Sequence, residues 1–262
     1  MPLDKQLFFN LNIPIRAYLD YALPLSILSV DHRYMSLMFS YNIQTFFPDS
    51  MLGRGIIGQN KFMIRPSLNN WQWQKLGLLD VEQDDQYKSP SIALSEAIDG
   101  IADAVFAGFY VETRLDEYYL PCRPAAHQKN HNCHINLVTG VSFSRDKFWI
   151  AGYGDDYEVA PVSRDTFGSA FTQLPRNLFA PGAPPDARDH RRIWKWRPRS
   201  NAMYAEPDMQ LMRGQIDDYI KGRSSHAMRV VATDDDLAYP VESGHWGLET
   251  YNSWEEYLGL RE

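Results

Sequence analysis

Three features of this sequence predict an α+β fold built on an antiparallel sheet. Segments with helical spacing flank a strand-rich middle instead of alternating with single strands. That middle carries a β-hairpin signature: INLVTGVSF over 135–143, a turn at SRDK, then FWIAGY over 148–153. After it, residues 208–221 put Met209, Met212, Ile216, Tyr219 and Ile220 on one helical stripe, opened by Asp208 behind Pro207 and stopped by Gly222. The expected architecture is N-terminal helices packed on a central antiparallel sheet, followed by a helical C-terminal part.

In chain order, FFNLNIPI (8–15) mixes aromatic and β-branched residues with asparagine and proline, which suits an irregular or edge strand. Residues 17–40 space Leu23, Ile27, Val30, Tyr34, Leu37 and Met38 as one buried helix or two short ones, with Asp20 as cap and Pro24 in the first turn. Three glycines in MLGRGIIGQNKFMI (51–64) mark turns, because they match neither of the glycine patterns that cradle phosphates. Residues 80–89 read as an exposed loop, after which Ser89 and Pro90 cap a helix with Ile92, Ala97, Ile98 and Ile101 on one face. That helix leads into a strand, AVFAGFYVET. Ser163 caps a short helix containing Phe167 and Phe171, and 173–199, rich in Pro, Gly and Arg, reads as a surface insertion. A last helix is expected over Trp246–Leu260. Residues 1–172 are thus the core, and 173–262 an insertion and C-terminal helices packed on it as one compact unit.

The 262 residues, 44% of them hydrophobic, suffice for a substantial core without covalent staples. With only Cys122 and Cys133, a reducing cytoplasmic compartment is the expectation, although a disulfide between the two stays open. A net charge of −7 argues against a general nucleic-acid binder. The apolar run Tyr21–Val30 is too short to span a bilayer and lacks the basic leader of a signal peptide, so no membrane association is expected.

The chemistry concentrates in one loop. Between the apolar runs Phe109–Val111 and Ile135–Val138, His127, His131, His134 and both cysteines fall within 13 residues. His134 stands at the entry to the second run, where a loop meets a buried strand and an imidazole can be held as a general base. A strand-end histidine bonded to backbone is the plain alternative. One zinc on His127, His131, Cys133 and His134 is disfavoured, because neighbours on an extended chain point to opposite faces, and no metal is expected.

These segments resemble a known family. VETRLDEYYLPCRP, with Asp116, Tyr119, Leu120 and Pro121, then His134, Val138 and Gly140 of the next strand, then FWIAGY and VSRDTF, are similar in order to the N-terminal domain of the butirosin biosynthesis protein H family. The C-terminal GLETYNSWEEYL adds to the likeness, which is strongest over 95–172. The resemblance implies a papain-like fold and acyl transfer or hydrolysis on a thioester held by an acyl or peptidyl carrier protein in natural-product biosynthesis. It implies His134 as general base and Asp116, Tyr119 and Cys133 at the substrate. No bound cofactor is implied, only phosphopantetheine carried by the partner.

The family's nucleophile is a cysteine at the start of the first core helix, where a helix dipole and an imidazolium make a thiolate. DYALPLSILS has none, leaving Ser26 as the nearest nucleophile and Cys122 or Cys133 as alternatives. Gly152 stands where an acid or amide would orient the histidine, so Asp155 or Asp156 is expected to serve. Two classes stay open: an acyl-transfer enzyme, and a degenerate papain-like protein that binds a carrier or peptide intermediate. The stripe DARDHRRIWKWRPR (186–199) sets six Lys and Arg against two Asp. Arg191, Arg192 and Lys195 are its expected contacts with an acidic carrier protein, a solvated loop being the alternative.

Overall fold

The computed structural model describes residues 4–13, 16, 19–31, 34, 46–48, 78–84, 92–172, 193–199, 209–221 and 244–246. They fall in two compact units, one made of 1–30 and 77–200, the other of 31–76 and 201–262. The boundary therefore does not fall at 172/173.

The first unit is an antiparallel sheet of seven strands, flanked by helices. Its strands are β1 (Lys5–Gln6), β3 (Leu79–Asp84), β4 (Tyr110–Asp116), β5 (Cys133–Val141), β6 (Lys147–Tyr153), β7 (Tyr157–Ser163) and β8 (Ile193–Pro198). The order across the sheet is β3-β8-β4-β5-β6-β7, with β1 added on β5. Among its described residues are three α-helices: α1 (Leu19–Leu28), α2 (Leu94–Phe106) and α3 (Arg164–Thr172). The second unit contributes α4 (Met209–Ile220) and a short antiparallel pair, β2 (Phe46–Pro48) with β9 (Gly244–Trp246).

Helix α2 forms because Ala97, Ile98, Ile101, Ala102, Ala104 and Val105 line one buried stripe. It opens at Ala93 with no side-chain cap, four residues beyond the expected cap Ser89. It stops at Gly108, whose φ of +91° places it in the left-handed region. Gly108 N–H donates to the Val105 carbonyl and Phe109 N–H to that of Ala104, a Schellman closure that turns the chain into β4. The expected strand over AVFAGFYVET is therefore helix up to Phe106 and strand from Tyr110. At α3, the Ser163 hydroxyl accepts from Thr166 N–H as expected of a cap.

Other expectations are corrected. Residues 80–84 are not exposed loop but part of β3, and 193–198 are not insertion but β8, set between β3 and β4. Both segments were obscured by charge: acids of β3 lie opposite bases of β8, with Asp80 facing Arg197 and Glu82 facing Lys195. Asp20 lies inside α1 instead of capping it, and Pro24 is the sixth residue of that helix. Trp246 is a strand residue. The 51–64 glycines, Ser89–Pro90 and 247–262 lie outside the described residues.

One face of the sheet carries the main core. Val111, Leu115, Val138, Val141, Phe148, Ile150, Val162 and Ile193 pack against α2 and α3, where Phe167 stacks on Phe148 at 4.6 Å. On the other face Tyr110 and Tyr157 meet Phe9, with ring centroids 6.3 and 6.2 Å apart. Among the described residues no helix is long and apolar enough to cross a membrane.

Candidate functional site

At one end of the sheet β4 runs out into a 3₁₀ turn, Glu117–Tyr119, and the chain returns to β5 through residues 120–132. The loop is held by its own backbone, with Arg123, Ala126 and His127 N–H groups donating to carbonyls three or four residues back. Gln128 N–H closes it onto the Tyr118 carbonyl.

Two adjacent acids organise this end. Asp116 is fully buried; its Oδ1 accepts from the backbone N–H groups of Tyr118 and Asn132, each at 3.1 Å. Its Oδ2 lies 2.6 Å from His131 Nδ1. Glu117 Oε1 lies 3.1 Å from His134 Nδ1, and Oε2 accepts from Asn132 Nδ2 at 2.6 Å. Ionised carboxylates only accept, so in each pair Nδ1 is the donor and Nε2 the nitrogen left over. Both rings are partly open to solvent, 40% for the His131 side chain and 42% for that of His134, whereas the acids behind them are buried. Tyr118 stacks on His131 at 4.3 Å, and Tyr119 leans towards it at 6.0 Å.

Beneath Glu117 lies Arg123, almost completely buried. Its Nε is 3.9 Å from Glu117 Oε1, Nη2 donates to Asn136 Oδ1 at 3.0 Å, and Nη1 to the Cys122 carbonyl at 3.1 Å and to Glu158 at 3.4 Å. This explains Gly152. A Cβ there would stand 2.5 Å from Arg123 Nη2 and 3.0 Å from Asn136 Oδ1, so the missing side chain is the space the guanidinium occupies.

Strand register decides what faces His134. Directly opposed residues of antiparallel strands share a face. Leu115 opposes His134, and Val138 opposes both Val111 and Ile150, so His134, Asn136, Gly152 and Glu158 lie on the α2/α3 face. Tyr157, one residue before Glu158, faces the other way. Its hydroxyl is 3.0 Å from Ser26 Oγ, both groups buried. Ser26 and His134 are therefore on opposite faces of the sheet, which overturns their expected pairing as nucleophile and base.

The expected orienting acids are corrected as well. Asp155 and Asp156 are exposed between β6 and β7; Asp156 caps the Tyr157 N–H at 2.7 Å and lies 3.8 Å from Arg16. The acid on His134 is Glu117. Cys122 and Cys133 are free thiols, so the open disulfide is absent. Burial pushes both thiols up; Arg123 works against it for Cys122, and Arg114 for Cys133. That is the reverse of what a thiolate nucleophile requires. Asp116, expected at the substrate, is the buried partner of His131, and Tyr119 packs at the edge of the core.

Of the stripe, Lys195 is bound to Asp84 at 2.7 Å, Arg199 to Asp80 at 2.8 Å, and Arg197 lies over the Phe109 ring at 4.6 Å. Arg191 and Arg192 lie outside the described residues. Among the described residues no three His, Cys, Asp or Glu side chains converge as a metal site would need.

Sequence reasoning passed over Glu117, Arg123, Asn132 and Asn136 and weighed His131 only as a metal ligand. Their available signals were an acid pair at a strand end and an asparagine inside an apolar strand. No protein-family model matches the chain, and no curated protein does.

Proposed function

We propose that this protein transfers an acyl group from a carrier-bound thioester directly to an amine or water, with His134 as general base and no acyl-enzyme intermediate. The observation that carries the reading is the Glu117–His134 pair: a buried carboxylate holds Nδ1 of a part-exposed ring, leaving Nε2 to accept a proton. The direct route is supported by the nucleophiles. Ser26 is buried on the far face and both thiols are pushed up, so no activated nucleophile stands with this imidazole among the described residues. The papain-like fold and the natural-product role are part of the proposal. They rest on the sequence resemblance and on a histidine opening a strand of an antiparallel sheet.

The test uses acetyl-N-acetylcysteamine, a minimal mimic of the phosphopantetheine thioester, with hydroxylamine or water as acceptor. His134→Ala is expected to lower kcat/KM by about 10²–10⁴-fold, the usual share of a general base, while circular dichroism stays unchanged. A Ser26→Ala, Cys122→Ala, Cys133→Ala variant that keeps turnover supports the direct route. An acyl adduct on any of the three would overturn it.

The alternative, a binding protein that holds the carrier or a peptide intermediate, is favoured by the same lack of an activated nucleophile. Carrier binding without turnover in the wild type would select it.

A further inference from the structure

His134 is gripped at two points, and both lead back to one buried side chain. Its ring gives Nδ1 to Glu117 Oε1 at 3.1 Å, and its backbone carbonyl accepts from Asn136 Nδ2 at 3.2 Å. The Arg123 guanidinium stands behind both partners, with Nε 3.9 Å from that same Oε1 and Nη2 donating to Asn136 Oδ1 at 3.0 Å. The Arg123 side chain is only 1% exposed, out of a substrate's reach. What it does for a reaction it does through Glu117 and Asn136.

The donor chemistry of a guanidinium fixes one of these arms. Arg carries N–H donors and no acceptor, so the atom that Asn136 turns towards it has to be the amide oxygen. That leaves the amide N–H groups for the His134 carbonyl. The opposite flip would set donor against donor at one end and acceptor against acceptor at the other. On the second arm Glu117 is held from two sides, since Asn132 Nδ2 donates to Oε2 at 2.6 Å while the guanidinium faces Oε1. Arg123 is itself anchored, with Nη1 donating to the Cys122 carbonyl and to Glu158 on β7, in the space that Gly152 leaves open. A lysine ammonium, a single point of charge on a flexible stem, could not face Glu117, Asn136 and the Cys122 carbonyl at once.

From this arrangement we infer that Arg123 is the positioning residue of His134, setting the direction of its Nε2 through Glu117 and Asn136. Its effect on turnover rests on the acyl-transfer reading, whereas its hold on the ring does not. A catalytic group displaced by about 1 Å can cost a reaction about a hundredfold. A displaced base slows the chemical step and leaves substrate binding alone, so the loss belongs in kcat and not in KM.

Arg123→Lys and Asn136→Ala are compared with the wild type in two ways: nitrogen-15-edited proton resonances of the histidine rings, and turnover of acetyl-N-acetylcysteamine with hydroxylamine. The Nδ1 proton of His134, held against Glu117, is expected as a downfield resonance in the wild type, assigned by its absence from His134→Asn. Arg123→Lys is expected to lose or broaden it and to lower kcat by about 10–10²-fold, with KM kept within about twofold. Asn136→Ala cuts one arm and keeps the guanidinium, so the same changes are expected to a smaller degree. It carries the test alone if near-ultraviolet circular dichroism shows Arg123→Lys to be unfolded. A wild type without the resonance, or a resonance unchanged in the folded variants, would overturn the positioning role. So would an unchanged kcat where the resonance is lost. A wild type inert towards the thioester, with the resonance still lost in Arg123→Lys, would overturn the acyl-transfer reading alone and support the hold of Arg123 on His134.

Discussion

Gly108 and Gly152 show how one residue type can answer two unrelated constraints. Gly108 has φ +91° and no neighbouring atom within 4 Å of an added Cβ, so only its backbone conformation excludes a side chain. Gly152 is an ordinary strand residue, and there the obstacle is Arg123. Gly108→Ala should therefore cost about 1–2 kcal/mol of left-handed strain and leave the site untouched. Gly152→Ala should cost about 1–3 kcal/mol as overpacking and also shift Arg123 off Glu117, so that the proposed acyl transfer falls with stability. Urea unfolding and thioester turnover of the two variants separate the effects. Equal activity in both would show that Arg123 does not hold Glu117 in place.

At the scale of elements, β8 turns the basic stripe into an inner strand. Lys195 and Arg199 are bound to Asp84 and Asp80 of β3, and Trp196 is buried. Those contacts hold β8 in register, and surface pairs of this kind add little energy each. Of the three expected contacts for an acidic carrier protein, Lys195 is accounted for in this way, and Arg191 and Arg192 lie outside the described residues. If they steer the carrier, association should weaken about tenfold between low and ~0.3 M salt. The double variant Arg191→Glu, Arg192→Glu should weaken it further, whereas Lys195→Gln should have little effect beyond a loss of β3–β8 stability. Titration calorimetry at two ionic strengths checks this, and binding indifferent to salt would assign the stripe to the sheet alone.

Across the first unit as a whole, two phenols fasten the N-terminal segment to the sheet. Tyr110 donates to the Phe8 carbonyl, and the Tyr157 hydroxyl meets Ser26. Burial pushes Tyr110 up to about 12 and Tyr157 further up still, opposed at Tyr157 by the Ser26 hydrogen bond. Below pH 10 both phenols keep their protons folded and unfolded, and their contribution is whole. Above pH 10 the unfolded chain ionises and the folded one does not, so stability should fall by about 1.4 kcal/mol per pH unit for each tyrosine. Urea midpoints between pH 9 and 11.5 measure the slope, and Tyr110→Phe and Tyr157→Phe should each flatten it. A slope unchanged in both variants would place the alkaline loss elsewhere.

What could be read from the residues was whatever depends on short-range spacing. The α+β class, the 135–153 hairpin, helix 208–221, the Ser163 cap and the crowded histidine loop all follow from periodicity, turn residues and composition within a dozen positions. Strands β3 and β8 could not be read that way, because opposite charges more than a hundred residues apart neutralise each other only once paired. The partner of each histidine was likewise decided by the tertiary structure. Glu117 reaches His134 because a 3₁₀ turn folds it back, and Ser26 is kept from His134 because strand register assigns them to opposite faces of the sheet. A period of two tells which residues share a face of one strand, but only pairing tells which face an adjoining helix covers.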